Sequence, residues 1–246
     1  MKKELLTLTV VLLAFFLQGC QDDFTCPVPA ARSYQEDALI LNKFVEINKT
    51  THEYRINPNK RNSVLSYITN ADVEELNSVN TLNLKSFNQS LDRINNLSTQ
   101  LANNHSVDYI IMITENDVYV SQIQATSPVN IKQQKTDNNY FPTIASFSVT
   151  DSKKQYYASN NNVKMSVELK PQSYKNAGWA FLITCNLINN GDKKTIQVLF
   201  CGVGCDMTSL PCFEWTTVQN NDKVWSFEII SLNRDIPYIA DLKFLR

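Results

Sequence analysis

The feature that most restricts the possible folds is a long succession of β-type segments between residues 107 and 244. Each segment is rich in β-branched and aromatic residues, and short polar turns separate one segment from the next. Because no helical pattern intervenes, we expect the strands to pair antiparallel. The segments are VDYIIMIT, VYVSQIQ, PTIASFSVT, KQYYA, VKMSVELK, WAFLITCNLI, KTIQVLFC, FEWTTVQ and KVWSFEIISL, with a last strand at 238–244.

Four polar turns predict hairpins between the strands that flank them. They lie at 115–117, 151–153, 189–192 and 220–222. The third contains Asn-Gly, the strongest short hairpin signal. If Asn190 and Gly191 form a two-residue turn, paired positions sum to 381, so that Cys185 pairs with Ile196 and Cys201 with Ala180. The two cysteines then lie on opposite faces of the sheet, whereas a longer turn changes this parity.

A helical pattern precedes these strands. Apolar residues recur three and four positions apart, with polar residues on the other faces, and this predicts a helix at about 82–103 that packs through one stripe. The stripe consists of Leu84, Phe87, Leu91, Ile94, Leu97 and Leu101. An acidic segment that follows Thr69 predicts a second helix start. Periodicity does not decide between a helix and a strand for residues 34–48.

These patterns predict an α+β protein, in which an N-terminal helical segment precedes a predominantly antiparallel sheet or sandwich. We expect a single globular domain at 34–246, with a helical part at about 69–104 and a β-rich part at about 107–246. Residues 20–33 contain Pro27 and Pro29 and are expected to form an extended tether.

The N-terminus has the layout of a secretory signal. Lys2 and Lys3 precede an apolar run of 13 residues, from Leu5 to Leu17. A membrane-spanning helix needs about 20 apolar residues, so the run is too short to span. We therefore expect residues 1–19 to be a signal peptide.

The end of this run resembles the lipobox of bacterial lipoproteins. Leu17, Gln18, Gly19 and Cys20 provide an aliphatic residue, a tolerant position, a small residue and a cysteine. The resemblance implies cleavage before Cys20 and attachment of lipid to Cys20, so that the membrane is a partner through acyl chains. Gln21 then points to the outer membrane, facing the periplasm, whereas Asp22 and Asp23 resemble a surface-export signal in other lineages. A plain secreted protein is the alternative.

Five further cysteines follow Cys20, and four of them lie close together. In an oxidising compartment, disulfides are the expected fate of Cys185, Cys201, Cys205 and Cys212, with Cys26 left over. A metal site or a redox pair in FCGVGCDMTSLPCFEW is the alternative. Zinc would need Cys185 as a fourth ligand, and the C-x3-C-P of thioredoxin-related copper chaperones is not matched, because Asp206 follows Cys205. We predict neither a metal nor a cofactor.

Composition and motifs give little support for an enzyme. With 43% hydrophobic residues and a net charge of -1, the chain is expected to be globular and not to bind nucleic acid. No nucleophile elbow, phosphate loop, HExxH or EF-hand motif is present. His52 and His105 are interpreted as surface or cap residues, and paired carboxylates cannot be recognised from sequence.

The aromatic residues are candidates for a binding face. Trp179, Trp215 and Trp225 are the main candidates, and Tyr156 and Tyr157 accompany them. Packing in the hairpin core is the alternative. The leading hypothesis is a non-enzymatic envelope lipoprotein that binds a protein partner, with an immunity protein against a periplasm-delivered toxin as a special case. A hydrolase or thiol-redox enzyme and a surface-structure component are the competing hypotheses.

Overall fold

The computed structural model describes residues 32–60, 68–133, 143–149, 153–159, 164–171, 178–189, 191–204, 212–217, 223–232 and 238–245. All described residues belong to one compact unit, Arg32–Arg246. The predicted signal peptide and most of the predicted tether lie outside the described residues.

Three helices are described, and each begins at a side chain that caps it. Helix α1 (Tyr34–Phe44) and helix α2 (Asn70–Asn77) start with capping boxes, Ser33 with Glu36 and Thr69 with Asp72. Helix α3 (Thr81–Asn103) begins at Asn80, whose side-chain oxygen accepts from the N–H of Leu82. Helix α3 confirms the helix predicted at 82–103, and α1 resolves the ambiguous segment as a helix that leads into a strand.

Helix α3 ends with a Schellman motif. The N–H of His105 bonds to the carbonyl of Ala102, and the N–H of Ser106 bonds to the carbonyl of Leu101. His105 has φ 50° at the position where glycine is usual. His105 is therefore a helix-ending residue, in agreement with its interpretation as a cap.

Replacement of His105 by glycine is expected to raise the free energy of unfolding by about 0.5–1 kcal/mol, because glycine adopts positive φ without steric cost. Urea denaturation of the two proteins measures the change. His105→Ala is the control, since alanine keeps a Cβ in the left-handed region and should give no stabilisation. Equal stability of the glycine and alanine variants would contradict the prediction.

The described strands form three sheets. They are β1 (Val45–Asn48), β2 (Glu53–Ile56), β3 (Tyr109–Ile113), β4 (Val118–Gln122), β5 (Val129–Gln133), β6 (Thr143–Val149), β7 (Lys153–Ser159), β8 (Lys164–Pro171), β9 (Gly178–Asn189), β10 (Asp192–Val203), β11 (Phe213–Thr217), β12 (Lys223–Ser231) and β13 (Tyr238–Leu245). The orders are β1-β2, β4-β3-β10-β9-β12-β7 and β5-β11-β8-β13-β6. The architecture confirms the predicted α+β class, with helices before a β-rich body.

The strand pairing confirms two of the predicted hairpins and corrects the others. Strands β3 and β4 pair, and β9 and β10 pair in the predicted register, with Cys185 opposite Ile196 and Cys201 opposite Ala180. In contrast, β6 and β7 belong to different sheets, and so do β11 and β12. A short polar turn marks a chain reversal, but it does not show whether the two strands pair or cross between sheets. Strands β3 and β10 are also parallel, against the antiparallel expectation.

Two apolar clusters lie on opposite faces of the six-stranded sheet. Alternate residues of its strands face the five-stranded sheet, as Phe181 and Phe200 do, and belong to one buried cluster with Trp215. The residues between them, such as Leu199, pack with the helices in the second cluster, which includes Leu91 of α3. The helices, the six-stranded sheet and the five-stranded sheet thus form successive layers.

Candidate functional site

The cysteines do not form the predicted disulfide cluster. Cys185 is buried between the sheets and Cys201 is buried on the helical side, so the six-stranded sheet separates them. No disulfide joins any two of the described cysteines. The prediction of bridges that include Cys185 or Cys201 is therefore wrong, because both thiols are apolar core groups. Cys212 is half-buried before β11, and Cys20, Cys26 and Cys205 lie outside the described residues.

Cys201 belongs to a buried hydrogen-bonded group at the ends of the parallel strands. The hydroxyl of Tyr54 donates to the carbonyl of Cys201 at 2.8 Å and accepts from the N–H of Ile113 at 2.9 Å. The Cys201 thiol lies 3.5 Å from the carbonyl of Ile111. Burial raises the pKa of the Cys201 thiol to about 12, and burial also raises that of Cys185 well above its usual value. Both thiols are neutral at physiological pH, which disfavours nucleophilic or redox roles.

The three tryptophans are buried and do not form an exposed binding face. Trp215 and Trp225 have no exposed surface, and Trp179 is 5% exposed. Their prediction as a surface is wrong, and the core alternative is confirmed. The reason is that each occupies an inward position of its strand, where the aromatic ring fills the space between the sheets. Trp215 and Trp225 also lie on different sheets, not on adjacent paired strands.

The described polar side chains mostly have structural partners. His52, at φ 57°, lies with its Nε2 2.8 Å from the hydroxyl of Tyr119. The amine of Lys60 is buried and donates a hydrogen bond of 3.0 Å to the carbonyl of Lys43, which lies at the end of α1. Burial lowers the pKa of the Lys60 amine. No group of three or more His, Cys, Asp or Glu side chains that could hold a metal occurs among the described residues. Among the same residues, no helix has the length and apolar character needed to cross a membrane.

The candidate surface is the part of the six-stranded sheet that lies beyond the helical layer. The cluster under the helices extends along β9 only as far as Ala180 and Leu182. Further along β9 and β12, the residues on this outer face are half-buried or exposed, apart from Ser226. We call this set the outer sheet face: Thr184, Asn186, Ile188, Lys193, Thr195, Val224, Ser226, Glu228 and Ile230.

A hydrogen-bonded row crosses the centre of the outer sheet face. The hydroxyl of Thr195 donates to Oδ1 of Asn186 at 2.7 Å, and Nδ2 of Asn186 donates to the hydroxyl of Ser226 at 3.1 Å. The strand register places the three residues directly beside each other. These bonds fix the orientation of the Asn186 amide, and an oriented side chain loses less entropy when a partner binds. Thr195 is exposed and Asn186 is half-buried, whereas Ser226 is buried.

Sequence reasoning did not identify this row, although part of the signal was present. Positions 186 and 195 sum to 381, so the predicted β9–β10 register already pairs Asn186 with Thr195. The contribution of Ser226 depends on the pairing of β12 with β9, which connects distant parts of the chain. The end of the helical layer along β9 is likewise a property of the tertiary structure.

Comparison with known proteins gives no family assignment. No family model matches the chain, and no curated protein is significantly similar to it. Among solved structures, the TDP-fucose-3,4-ketoisomerase WlaRA of Campylobacter jejuni is 9% identical, with a TM-score of 0.23, and the match covers 49% of this chain and 84% of that one. The sugar 3,4-ketoisomerase QdtA of Thermoanaerobacterium thermosaccharolyticum is 11% identical, with a TM-score of 0.22 and the same coverage. Similarity at this level does not establish a shared fold.

Proposed function

We propose that the protein is a lipid-anchored binding protein of a bacterial envelope, without enzymatic activity, whose outer sheet face binds a protein partner. Lipid on Cys20 holds the chain in the outer membrane, facing the periplasm, and display on the cell surface is the alternative. The observation that carries the binding role is the oriented row of Thr195, Asn186 and Ser226 beyond the helical layer.

The composition of the outer sheet face favours a protein over other partners. Its centre combines hydroxyl and amide groups with the half-buried side chains of Ile188 and Val224. The charged residues Lys193 and Glu228 belong to the same face, so charges of both signs accompany an uncharged centre. Protein interfaces have this distribution, with few charges in the core and polar groups at the rim. A nucleic-acid surface would be strongly basic, whereas the whole chain carries a net charge of -1.

The anchor is tested with Cys20→Ser and labelled palmitate. The wild-type protein is expected to incorporate the label and to sediment with outer membranes, whereas the variant incorporates none. Protease added to intact cells then separates the two orientations, because only a surface-displayed body is degraded. Retention of label by Cys20→Ser would contradict the anchor.

Binding through the outer sheet face is tested with Asn186→Arg, which places a long charged side chain at the centre of the row. Partners captured from detergent-solubilised envelopes by the wild-type protein are expected to decrease at least tenfold with this variant. The matched control is Gln89→Arg, at an exposed position of α3. Partners retained equally by Asn186→Arg and Gln89→Arg would contradict the assignment of this surface, whatever the fate of the anchor.

A further inference from the structure

Strand β4 is an outermost described strand of the six-stranded sheet, and β3 is its one described neighbour in that sheet. Hydrogen-bonded pairs close both ends of the β3–β4 ladder. The N–H of Thr114 bonds to the carbonyl of Asp117, and the N–H of Ile123 bonds to the carbonyl of Asp108, each at 2.8 Å. In an antiparallel ladder, pairs that exchange hydrogen bonds alternate with pairs that do not. Every second residue of β4 therefore directs its backbone groups away from β3.

The residues whose backbone groups point away from β3 are Val118, Val120 and Gln122. The N–H of Val118 is satisfied locally, since it donates to Oδ1 of Asp117 at 3.0 Å. No hydrogen bond between described residues reaches the outward N–H and carbonyl groups of Val120 and Gln122. These groups form an open template for the pairing of another strand.

Strand β4 lacks the features that usually prevent pairing between the edges of two sheets. Its sequence, VYVSQ, contains neither a charged residue nor a proline, and its register with β3 has no bulge. By contrast, β5, an outermost described strand of the facing sheet, carries the exposed Lys132. The sequence of β4 therefore permits a second strand to approach its edge.

Side-chain contacts hold β4 in its extended conformation. The hydroxyl of Tyr119 lies 2.8 Å from Nε2 of His52, and the amine of Lys49 lies 3.3 Å from the carboxylate of Asp117, which precedes the strand. Both contacts connect β4 to the turn between β1 and β2. A strand that is already ordered loses little conformational entropy when a second strand pairs with it.

We propose that β4 pairs with β4 of a second copy of this chain, antiparallel and about a two-fold axis at Val120. Val120 then lies opposite Val120 of the second copy, Val118 opposite Gln122, and Tyr119 opposite Ser121. In this register the outward groups of Val120 and Gln122 all obtain partners. No two like charges oppose each other, and the half-buried Val118 and Val120 lose further apolar surface to water. This self-complementary register favours a second copy over an unrelated strand. The interface is separate from the outer sheet face, which β9, β10 and β12 form.

Amide hydrogen exchange of the full chain in detergent micelles tests the pairing. Protection of the N–H groups of Val120 and Gln122 is expected to rise by about tenfold or more as the protein concentration increases through the micromolar range. Light scattering is expected to show the mass of a dimer over the same range. The N–H groups of Tyr119 and Ser121 are the internal control, because they belong to the ladder with β3 and stay protected at every concentration. A monomer at all concentrations, or a dimer that leaves the exchange of Val120 and Gln122 unchanged, overturns the proposal.

Charge substitutions at the two-fold axis test the register. Val120→Lys and Val120→Glu are each expected to weaken dimerisation by about tenfold or more, because like charges then lie opposite each other. An equimolar mixture of the two variants is expected to restore the dimer, since lysine then faces glutamate. Gln89→Lys and Gln89→Glu, at an exposed position of α3, are the matched controls and leave dimerisation unchanged. A mixture that dimerises no better than either variant alone overturns the proposal. The exchange measurement on the wild-type protein decides the question even if a variant does not fold.

Discussion

Replacement of Gly202 by alanine is expected to lower the free energy of unfolding by about 3 kcal/mol, which is a large fraction of the stability of an ordinary domain. Gly202 lies in β10 opposite Trp179 of β9, and a Cβ at Gly202 would overlap the indole ring of Trp179. The ring is rigid and 95% buried, so relief requires movement of the sheet backbone or of the packed core around the ring. Chemical denaturation of the wild-type protein and the variant measures the loss.

Gly178→Ala is the matched control for this prediction. Gly178 lies in the neighbouring strand, where a Cβ would overlap the terminal methyl of Ile94, at the end of a flexible side chain, and would lie 3.3 Å from the carbonyl oxygen of Gly202. A change of the Ile94 rotamer relieves that overlap at a cost of about 1 kcal/mol. Equal losses for the two variants would show that the rigidity of the indole does not set the cost.

The second large effect is a loss of stability in alkaline solution. The pKa of the Cys201 thiol is raised from 9.0 to about 12 in the folded protein, because burial disfavours the thiolate. When the pKa of a group is higher in the folded protein than in the unfolded chain, its full contribution to stability is present below the pKa of the unfolded chain. That contribution is lost as the pH rises towards the pKa of the folded protein. Between pH 8 and pH 11 the unfolded thiol ionises while the folded thiol stays largely protonated, which removes about 3 kcal/mol. Burial also raises the pKa of the Cys185 thiol, so this thiol likewise lowers the stability of the folded protein in alkaline solution.

The measurement compares the wild-type protein with Cys201→Ala at pH 8 and at pH 11. The variant loses packing at both pH values but has no thiol to ionise at this position. The stability advantage of the wild-type protein over the variant should therefore shrink by about 3 kcal/mol between the two pH values. Leu199→Ala is the control, because Leu199 is buried in the same cluster and does not titrate. A constant difference for Cys201→Ala would show that the thiol does not cause the alkaline loss.

Local structure in this protein could be predicted from its sequence with good accuracy. The three- and four-residue spacing of apolar residues located α3, and the Asn-Gly turn set the register of β9 with β10, because both signals depend on neighbours along the chain. The same register predicted that Cys185 and Cys201 lie on opposite faces. Their separation by the sheet follows from the period of two in a strand.

The errors arose where the answer depends on contacts between distant segments. Strands β11 and β12 have the pattern of a hairpin, yet they lie in different sheets, because β11 pairs with β8 and β12 pairs with β9, which are distant in the chain. The prediction of an exposed aromatic binding face was wrong for the same reason. A tryptophan that points into the core of a sandwich and one that points outward from a single sheet can have the same local sequence. The row at Asn186 was missed because Ser226 joins it through tertiary pairing alone.

The sequence by itself determined the helix, the strands, the central register and the expectation of a lipid anchor at Cys20, because each is encoded within a short stretch of chain. Only the tertiary structure decided that two sheets stack, that Cys185 and Cys201 are neutral core thiols, and that the helices end short of Asn186. The physical reason is that burial and accessibility depend on which surfaces pack together. That choice is made by the summed apolar area of segments far apart in the chain.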